Sequence, residues 1–360
     1  MGLKIVYSEK HKKHNPTREF ILGRFEKYKE CEKRVENILI EAKKRRLISA
    51  NQQELIKPTD HGLKHILKLH SQDYVDYLKT AYKNWLRIGG SEVGVFPADF
   101  PVRDFANKHR ENKGGNGGSR GYYTSGLHSV IVEGTFEAAY EAVQVALTAA
   151  DILVKEDNTH VLALSRPPGH HAHGDLCGGY CFFNNAAITA KYLIDELKVG
   201  KVAILDIDYH HGNGTQEFFY SQNNPLYASI HGENDYPYYW GSASEKGTGQ
   251  GLGYTINRPL KKGTKDEEYL KTLKEILENI KLNFKPNLIL ISLGLDTFEK
   301  DPVGNFKLSS NCYLQIGKLI KGLNLKCLFL LEGGYALENI GENCLNVLHA
   351  FNDTLIKSSL

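Results

Sequence analysis

Asp206, Asp208, His210 and His211 crowd into the segment Lys201–Gly214 (KVAILDIDYHHGNG), directly behind the apolar run Val202–Leu205. Acidic and imidazole side chains this dense at the end of a buried-type strand are costly unless they are paired or hold a metal. In extended backbone Asp208 and His210 point to the same side, which would offer a cation one carboxylate oxygen and one imidazole nitrogen. A second dense stretch, RPPGHHAHGDLCGGYCFFNN (166–185), sets the adjacent His170 and His171 after a Pro-Pro-Gly that restricts the backbone. Asp296 lies in LGLDTFEKDP (293–302) and Tyr335 in EGGYALENIG (332–341). Alone, Asp296 reads equally as a helix N-cap and Tyr335 as an aromatic over a turn. Together they complete a chemistry. Asp208, His210 and Asp296 would be three protein ligands with a position left open. Two carboxylates with one imidazole are a less common set for zinc, and their hardness also admits Fe(II) or Co(II). Such a cation lowers the pKa of water and polarises a carbonyl. One histidine could deprotonate the water and protonate a leaving amine, and a tyrosine hydroxyl could hold the oxyanion.

Such residues need a rigid frame. Apolar runs of strand length at Val161–Ser165, Val202–Leu205, Leu226–Ile230, Leu288–Ser292 and Cys327–Leu331 alternate with helical stretches at Asn184–Leu197, Lys265–Leu282, Ser309–Lys321 and Leu337–Phe351. This alternation predicts an α/β fold, a mostly parallel central sheet flanked by helices on both faces. Every chemically loaded stretch, including HGENDYPYYWG (231–241), directly follows one of these runs. Ligands bind outside the carboxyl ends of parallel strands, so a single site is expected. Upstream, Leu3–Tyr7 reads as a strand, and Lys29–Arg46, Leu63–Leu69 and Ser71–Leu86 read as helices, the first with a charged outer face and the last capped by Ser71. Thr135–Val154 is a further helix. Residues 89–134 hold no period and contain KGGNGGSRG (113–121), so they form a long loop. Its stretch 103–120 is net basic, with Arg103, Lys108, Arg110, Lys113 and Arg120 against Asp104 and Glu111.

The 360 residues carry a net charge of +3, too little to argue for a nucleic-acid partner. No apolar run approaches the ~18 residues that span a bilayer, and MGLKIVYSEK does not read as a signal peptide. Six scattered cysteines, with CGGYC in place of CxxC, point to a reduced, cytoplasmic setting and away from a structural zinc cluster. With no linker or internal repeat, residues 1–360 are expected to form one domain.

RPPGHH (166–171), GGYCFFNN (178–185), DIDYHHGNG (206–214), GLDTFEKDP (294–302) and EGGY (332–335) together resemble the zinc-dependent deacetylase superfamily. That family contains histone deacetylases and bacterial acetylpolyamine amidohydrolases on an arginase-like α/β fold. The resemblance implies that Asp208, His210 and Asp296 are metal ligands and His171 the general base and acid. It makes His170 its charge-stabilising companion and Tyr335 the carbonyl-polarising hydroxyl. Asp206 and Asn213 match the partners of His170 and His171, where the family often has Asp at the second place. Tyr180 and Tyr236 match the walls of a narrow tunnel, and Gly179 would accept a substrate N–H. A structural K+ site is implied at Asp206, Asp208, His210, Ser229 and Ile230, and a second at Phe219, Gln222 and Pro225.

HNPTREF (14–20), GYYTSG (121–126) and GTFEAA (134–139) resemble the acetylpolyamine branch. In that branch the long loop helps build a homodimer and narrows the tunnel mouth. The implied substrate is a small cationic acetamide, with Glu19 and Glu133 as candidate amine contacts. TSGLHS (124–129) departs from the branch in lacking an acidic residue. The alternatives are an acyl-lysine deacylase acting on peptides, a non-catalytic acyl-lysine reader, and a two-manganese arginase-like hydrolase.

Overall fold

The structure is a computed structural model that describes residues 2–49, 54–108 and 115–352. Its strands are β1 (Gly2–Val6), β2 (Arg18–Ile21), β3 (Arg24–Lys27), β4 (Leu55–Ile56), β5 (Thr159–Ala163), β6 (Val202–Asp206), β7 (Leu226–Gly232), β8 (Thr255–Leu260), β9 (Leu288–Leu293) and β10 (Lys326–Leu331). The helices are α1 (Lys33–Lys44), α2 (Gln72–Arg87), α3 (Arg103–Lys108), α4 (Gly115–Tyr122), α5 (Thr135–Lys155), α6 (Asn185–Asp195), α7 (Asn213–Phe219), α8 (Asp266–Asn279), α9 (Ser310–Lys321) and α10 (Ile340–Leu348). Eight strands form one sheet in the order β4-β1-β5-β10-β9-β6-β7-β8, and every pairing in it is parallel. β2 and β3 form a separate antiparallel hairpin.

Successive side chains of a strand face opposite ways, and both faces of this sheet are dry. On one face Leu162, Ala203, Leu205, Ile289, Ile291, Phe329 and Leu331 pack beneath α1, α8, α9 and α10. On the other, Val161, Val202, Ile204, Leu288, Leu290 and Leu328 pack beneath α2, α5 and α6. Each of these Val, Leu, Ile and Phe side chains contributes about 1.5–3 kcal/mol by burial, so register is strongly specified. Helix starts are set locally: Ser71 accepts from Tyr74 N at 3.3 Å, and Asn184 from Ala187 N at 2.9 Å.

Three expectations are corrected. Leu63–Leu69 forms a succession of turns instead of a helix; the stretch is short and ends at His70, whose Nε2 is bound to Asn184 N at 3.0 Å. The 89–134 segment contains α3 and α4, while its Arg110, Glu111 and Lys113 lie outside the described residues. The first helix starts at Lys33 instead of Lys29, and its Arg34 is fully buried.

Candidate active site

β5, β10, β9, β6 and β7 are neighbours in the sheet, so the loops after their carboxyl ends meet over one short edge. β6 stops at Asp206 and the chain bends through Asp208–His210, which replaces the extended same-side arrangement. The bend is pinned by its own acids. His210 N donates to Asp208 Oδ1 at 2.9 Å and Tyr209 N to Asp296 Oδ1 at 2.8 Å. Gly333 N donates to Asp208 Oδ2 at 2.8 Å.

Asp208, His210 and Asp296 are buried, and one ligand atom from each lies within 4.8 Å of the others. Burial, followed by the charge of Asp208, pushes the Asp296 carboxyl up to about 7. Two buried carboxylates in this space therefore call for a cation, and two oxygens with one nitrogen suit a divalent transition metal. A second buried convergence, His170, Cys181 and Glu332, serves the backbone instead: Glu332 Oε2 accepts from Gly169 N at 2.7 Å and His170 N at 3.2 Å. Gly333 is required by space. A Cβ there would stand 2.6 Å from both Asp208 Oδ2 and Asp296 Oδ2. Gly333→Ala is accordingly expected to weaken metal retention about tenfold, measured by metal analysis after dialysis against a chelator with circular dichroism as the fold control. Retention equal to the parent would remove Gly333 from this role.

The two histidines occupy different electrostatic settings. His170 Nδ1 lies 3.1 Å from Asp206 Oδ2. Burial opposes its charged form, but Asp208 and Asp206 outweigh it and push His170 up to about 10. Tyr227 Oη also donates to Asp206 Oδ2 at 3.2 Å. His171 Nδ1 lies 2.8 Å from Asn213 Oδ1. Burial and the neighbouring charges of His170 and His210 hold His171 well below the usual imidazole range, and the neutral Asn213 supplies no opposing charge. One ring is suited to stabilise charge and the other to accept a proton.

Above them the Tyr236 ring stands 4.9 Å from the His171 ring, and the Tyr180 ring 5.5 Å from that of Tyr335. Gly179, at φ +51°, leaves no room for a side chain, since a Cβ would lie 2.3 Å from His171 Cδ2. The half-buried His128 was not anticipated; its ring sits 6.1 Å from Tyr180 and 6.2 Å from Tyr236. Burial lowers its pKa against the pull of Glu19, so the mouth carries a neutral imidazole where an acid was expected. Glu19 is fully buried; its Oε2 accepts from Tyr180 Oη at 2.7 Å and its Oε1 from Lys29 Nζ at 3.3 Å. Glu133 is not brought to the tunnel: it is exposed, and its charge is felt at Tyr82. Of the suggested K+ positions, Ser229 pairs in register with Asp206, and Ile230 follows it in β7. Phe219, Gln222 and Pro225 gather between α7 and β7, where Gln222 N donates to Phe219 O at 2.9 Å.

A buried charge network beneath the site escaped sequence reasoning. Glu30 Oε1 accepts from Arg34 at 2.7 Å and from Arg166 Nε at 2.9 Å. Arg34 donates to the carbonyls of Gly334 and Glu332, and Arg166 to those of His11 and His14. Removing one partner of such a buried set costs about 3–5 kcal/mol. A Glu and an Arg four apart look like a surface pair in sequence, so only Arg166, ahead of the Pro-Pro, offered any signal.

The histone deacetylase domain family matches residues 28–351. The chain is 40% identical over 348 residues to Acetylpolyamine amidohydrolase 2 of Pseudomonas aeruginosa, covering 96% of this chain and 98% of that protein. It is 37% identical over 348 residues to Acetylpolyamine amidohydrolase of Mycoplana ramosa, with the same coverage of 96% and 98%. The crystal structure of an acetylpolyamine aminohydrolase from Burkholderia pseudomallei superposes with a TM-score of 0.85 at 29% identity, covering 98% of this chain and 99% of that one.

Proposed function

The chain belongs to the histone deacetylase family, and from that premise we propose that it is a metal-dependent amidohydrolase that deacetylates N-acetylated polyamines or small diamines. The observation that carries this reading is the convergence of Asp208, His210 and Asp296 within 4.8 Å, beside two histidines of opposite electrostatic character and close to the rings of Tyr180 and Tyr236. A divalent cation bound by these three residues, zinc or else Fe(II) or Co(II), would supply Lewis acidity for polarising the amide carbonyl. The chain's own residues do the rest. Tyr180 and Tyr236 flank the extended acyl-amine chain, and the Gly179 carbonyl accepts its N–H. His171 takes a proton from water as the oxygen adds to the carbonyl carbon. Tyr335 donates to the developing oxyanion, and the charge of His170 stabilises it. The C–N bond then breaks as His171 returns the proton to nitrogen, giving acetate and free amine.

Glu19 is the proposed reader of the substrate's distal cation. Glu19→Gln is expected to raise KM for acetylputrescine about tenfold, ~1.4 kcal/mol, with kcat little changed and a neutral acetamide of equal length unaffected. Equal losses on both substrates would show that Glu19 does not read charge. Its existing ion pair with Lys29 at 3.3 Å favours a second reading, acyl-lysine within an extended peptide. Parallel assays of acetylpolyamines and an acetyl-lysine peptide decide between them, and higher peptide turnover would displace the polyamine reading.

Further parts of the proposal concern setting and assembly. K+ at Asp206, Asp208, His210, Ser229 and Ile230, and at Phe219, Gln222 and Pro225, would brace the bends that carry the metal ligands. A homodimer through the 89–134 segment is supported by the exposure of Phe100, Val102 and Phe105 there. A cytoplasmic setting is supported by six free cysteines. Among the described residues no helix is long and apolar enough to cross a membrane.

A further inference from the structure

The motif HHAHG (170–174) contains a third histidine, His173, that the mechanism above does not use. It is the middle of a hydrogen-bond series. His171 Nδ1 meets Asn213 Oδ1 at 2.8 Å, Asn213 Nδ2 meets His173 Nε2 at 2.8 Å, and His173 Nδ1 meets Glu217 Oε2 at 2.5 Å. The series runs outward from the fully buried His171. The His173 side chain is 13% exposed and that of Glu217 49% exposed. Its outer end borders a surface recess of about 310 Å³, also lined by Arg103, Asp175 and Phe218.

With His173 neutral, donor and acceptor rules allow one consistent proton order along this series. Burial raises the Glu217 pKa, but His173 and Arg103 outweigh it and hold it below the ordinary range. An ionised carboxylate only accepts, so His173 carries its proton on Nδ1. Its Nε2 then presents a lone pair, which accepts from the Asn213 amide N–H. That turns the Asn213 carbonyl oxygen towards His171, where it accepts from Nδ1–H. His171 is left with a bare Nε2, the state a general base requires. Asparagine has a donor and an acceptor on one planar group, so without an external partner its amide can turn over. The turned amide would offer N–H to His171 Nδ1 and place the His171 proton on Nε2. An aspartate at this position could not make that error; an asparagine needs to be held.

We propose that His173 and Glu217 are positioning residues that fix the orientation of the Asn213 amide and thereby keep the proton of neutral His171 on Nδ1. The proposal rests on His171 being the general base. Trp240, with its ring 5.7 Å from that of His173, and the His173 N to Leu176 O bond at 2.9 Å hold the imidazole in place for this task.

The test combines kinetics with a spectroscopic readout on the metal-loaded enzyme. His173→Leu is expected to lower kcat for acetylputrescine about tenfold with KM within about twofold, and His173→Gln, whose amide oxygen can accept from Asn213, should recover most of the loss. In 15N-imidazole NMR, with the His171 signals assigned by difference against His171→Ala, the parent should show Nδ1 protonated. His173→Leu should move His171 towards the Nε2-protonated form. Glu217→Leu, at a half-exposed side chain, should shift the signal in the same direction and secures the test should His173→Leu fold poorly. A His171 tautomer unchanged in both leucine variants overturns the proposal, whatever the rates. If the parent hydrolyses no acetamide, the functional reading fails, while the tautomer spectra still decide whether these residues orient Asn213.

Discussion

Replacing Tyr335 with phenylalanine is expected to cut turnover of an acetylated diamine by about 10²–10³-fold, ~2.7–4 kcal/mol, the cost of losing one preorganised oxyanion donor. Metal content and melting temperature should stay at parental values. The expectation follows from how little else the substitution touches. The Tyr335 ring is held between the Arg34 guanidinium, 5.0 Å from its centroid, and the Tyr180 ring at 5.5 Å. Its backbone is anchored independently: Tyr335 N and Ala336 N donate to Asp301 Oδ2 at 2.6 and 3.0 Å, and Asp301 Oδ1 accepts from Val303 N and Gly304 N. Burial holds the phenol pKa well above the usual value, against the pull of Arg34, so the hydroxyl is a donor at neutral pH. Phenylalanine keeps every one of these supports and deletes only the proton donor. Rates within about threefold of the parent would exclude Tyr335 from oxyanion stabilisation; a loss of melting temperature would assign it a structural part.

His171→Ala is expected to reduce kcat by about 10²–10⁴-fold, the usual span for a positioned acid–base group. It differs from the tyrosine change in leaving a gap. Imidazole is bounded on one side by Tyr236 at 4.9 Å and on another by Gly179, so free imidazole added to the assay has a shaped space to enter. Partial recovery of rate by imidazole, with metal still bound, is the expected signature. Near-normal turnover in the alanine variant would refute the base assignment, because His170, held charged by Asp208 and Asp206, is poorly placed to accept a proton.

The legibility of this molecule follows the physics of burial. β5, β6, β7, β9 and β10 are apolar on both faces and stood out as uninterrupted runs, and the loops behind them carried the candidate site residues. β8 (TINRPL) did not stand out. It is an edge strand that contains Arg258 and Pro259, a residue tolerated where no neighbour needs its N–H. β4 is two residues long, and the β2–β3 hairpin is largely charged, so neither has a periodic signal. The ligand candidates were recognisable by their types and spacing. The surroundings of Tyr180 and Tyr236 were not, because His128 reaches them from a segment without period. Glu30 and Arg34 were invisible for a third reason: a buried ion pair and a surface ion pair have the same sequence.

The strand order also bears on how the chain is made. β9 and β10 are the last strands in sequence, yet they lie between β5 and β6 and pair with both. A nascent polypeptide lacking residues beyond 287 would hold β5 and β6 with unpaired edges facing an unfilled gap, the apolar, β-branched surfaces that promote misassociation. Synthesis from the N-terminus therefore delays closure of the sheet until its last two strands have emerged. Asp296 and Tyr335 arrive with those same strands. The sheet closes and the set of candidate site residues is completed in one late event, and a premature stop would cost the chain both together.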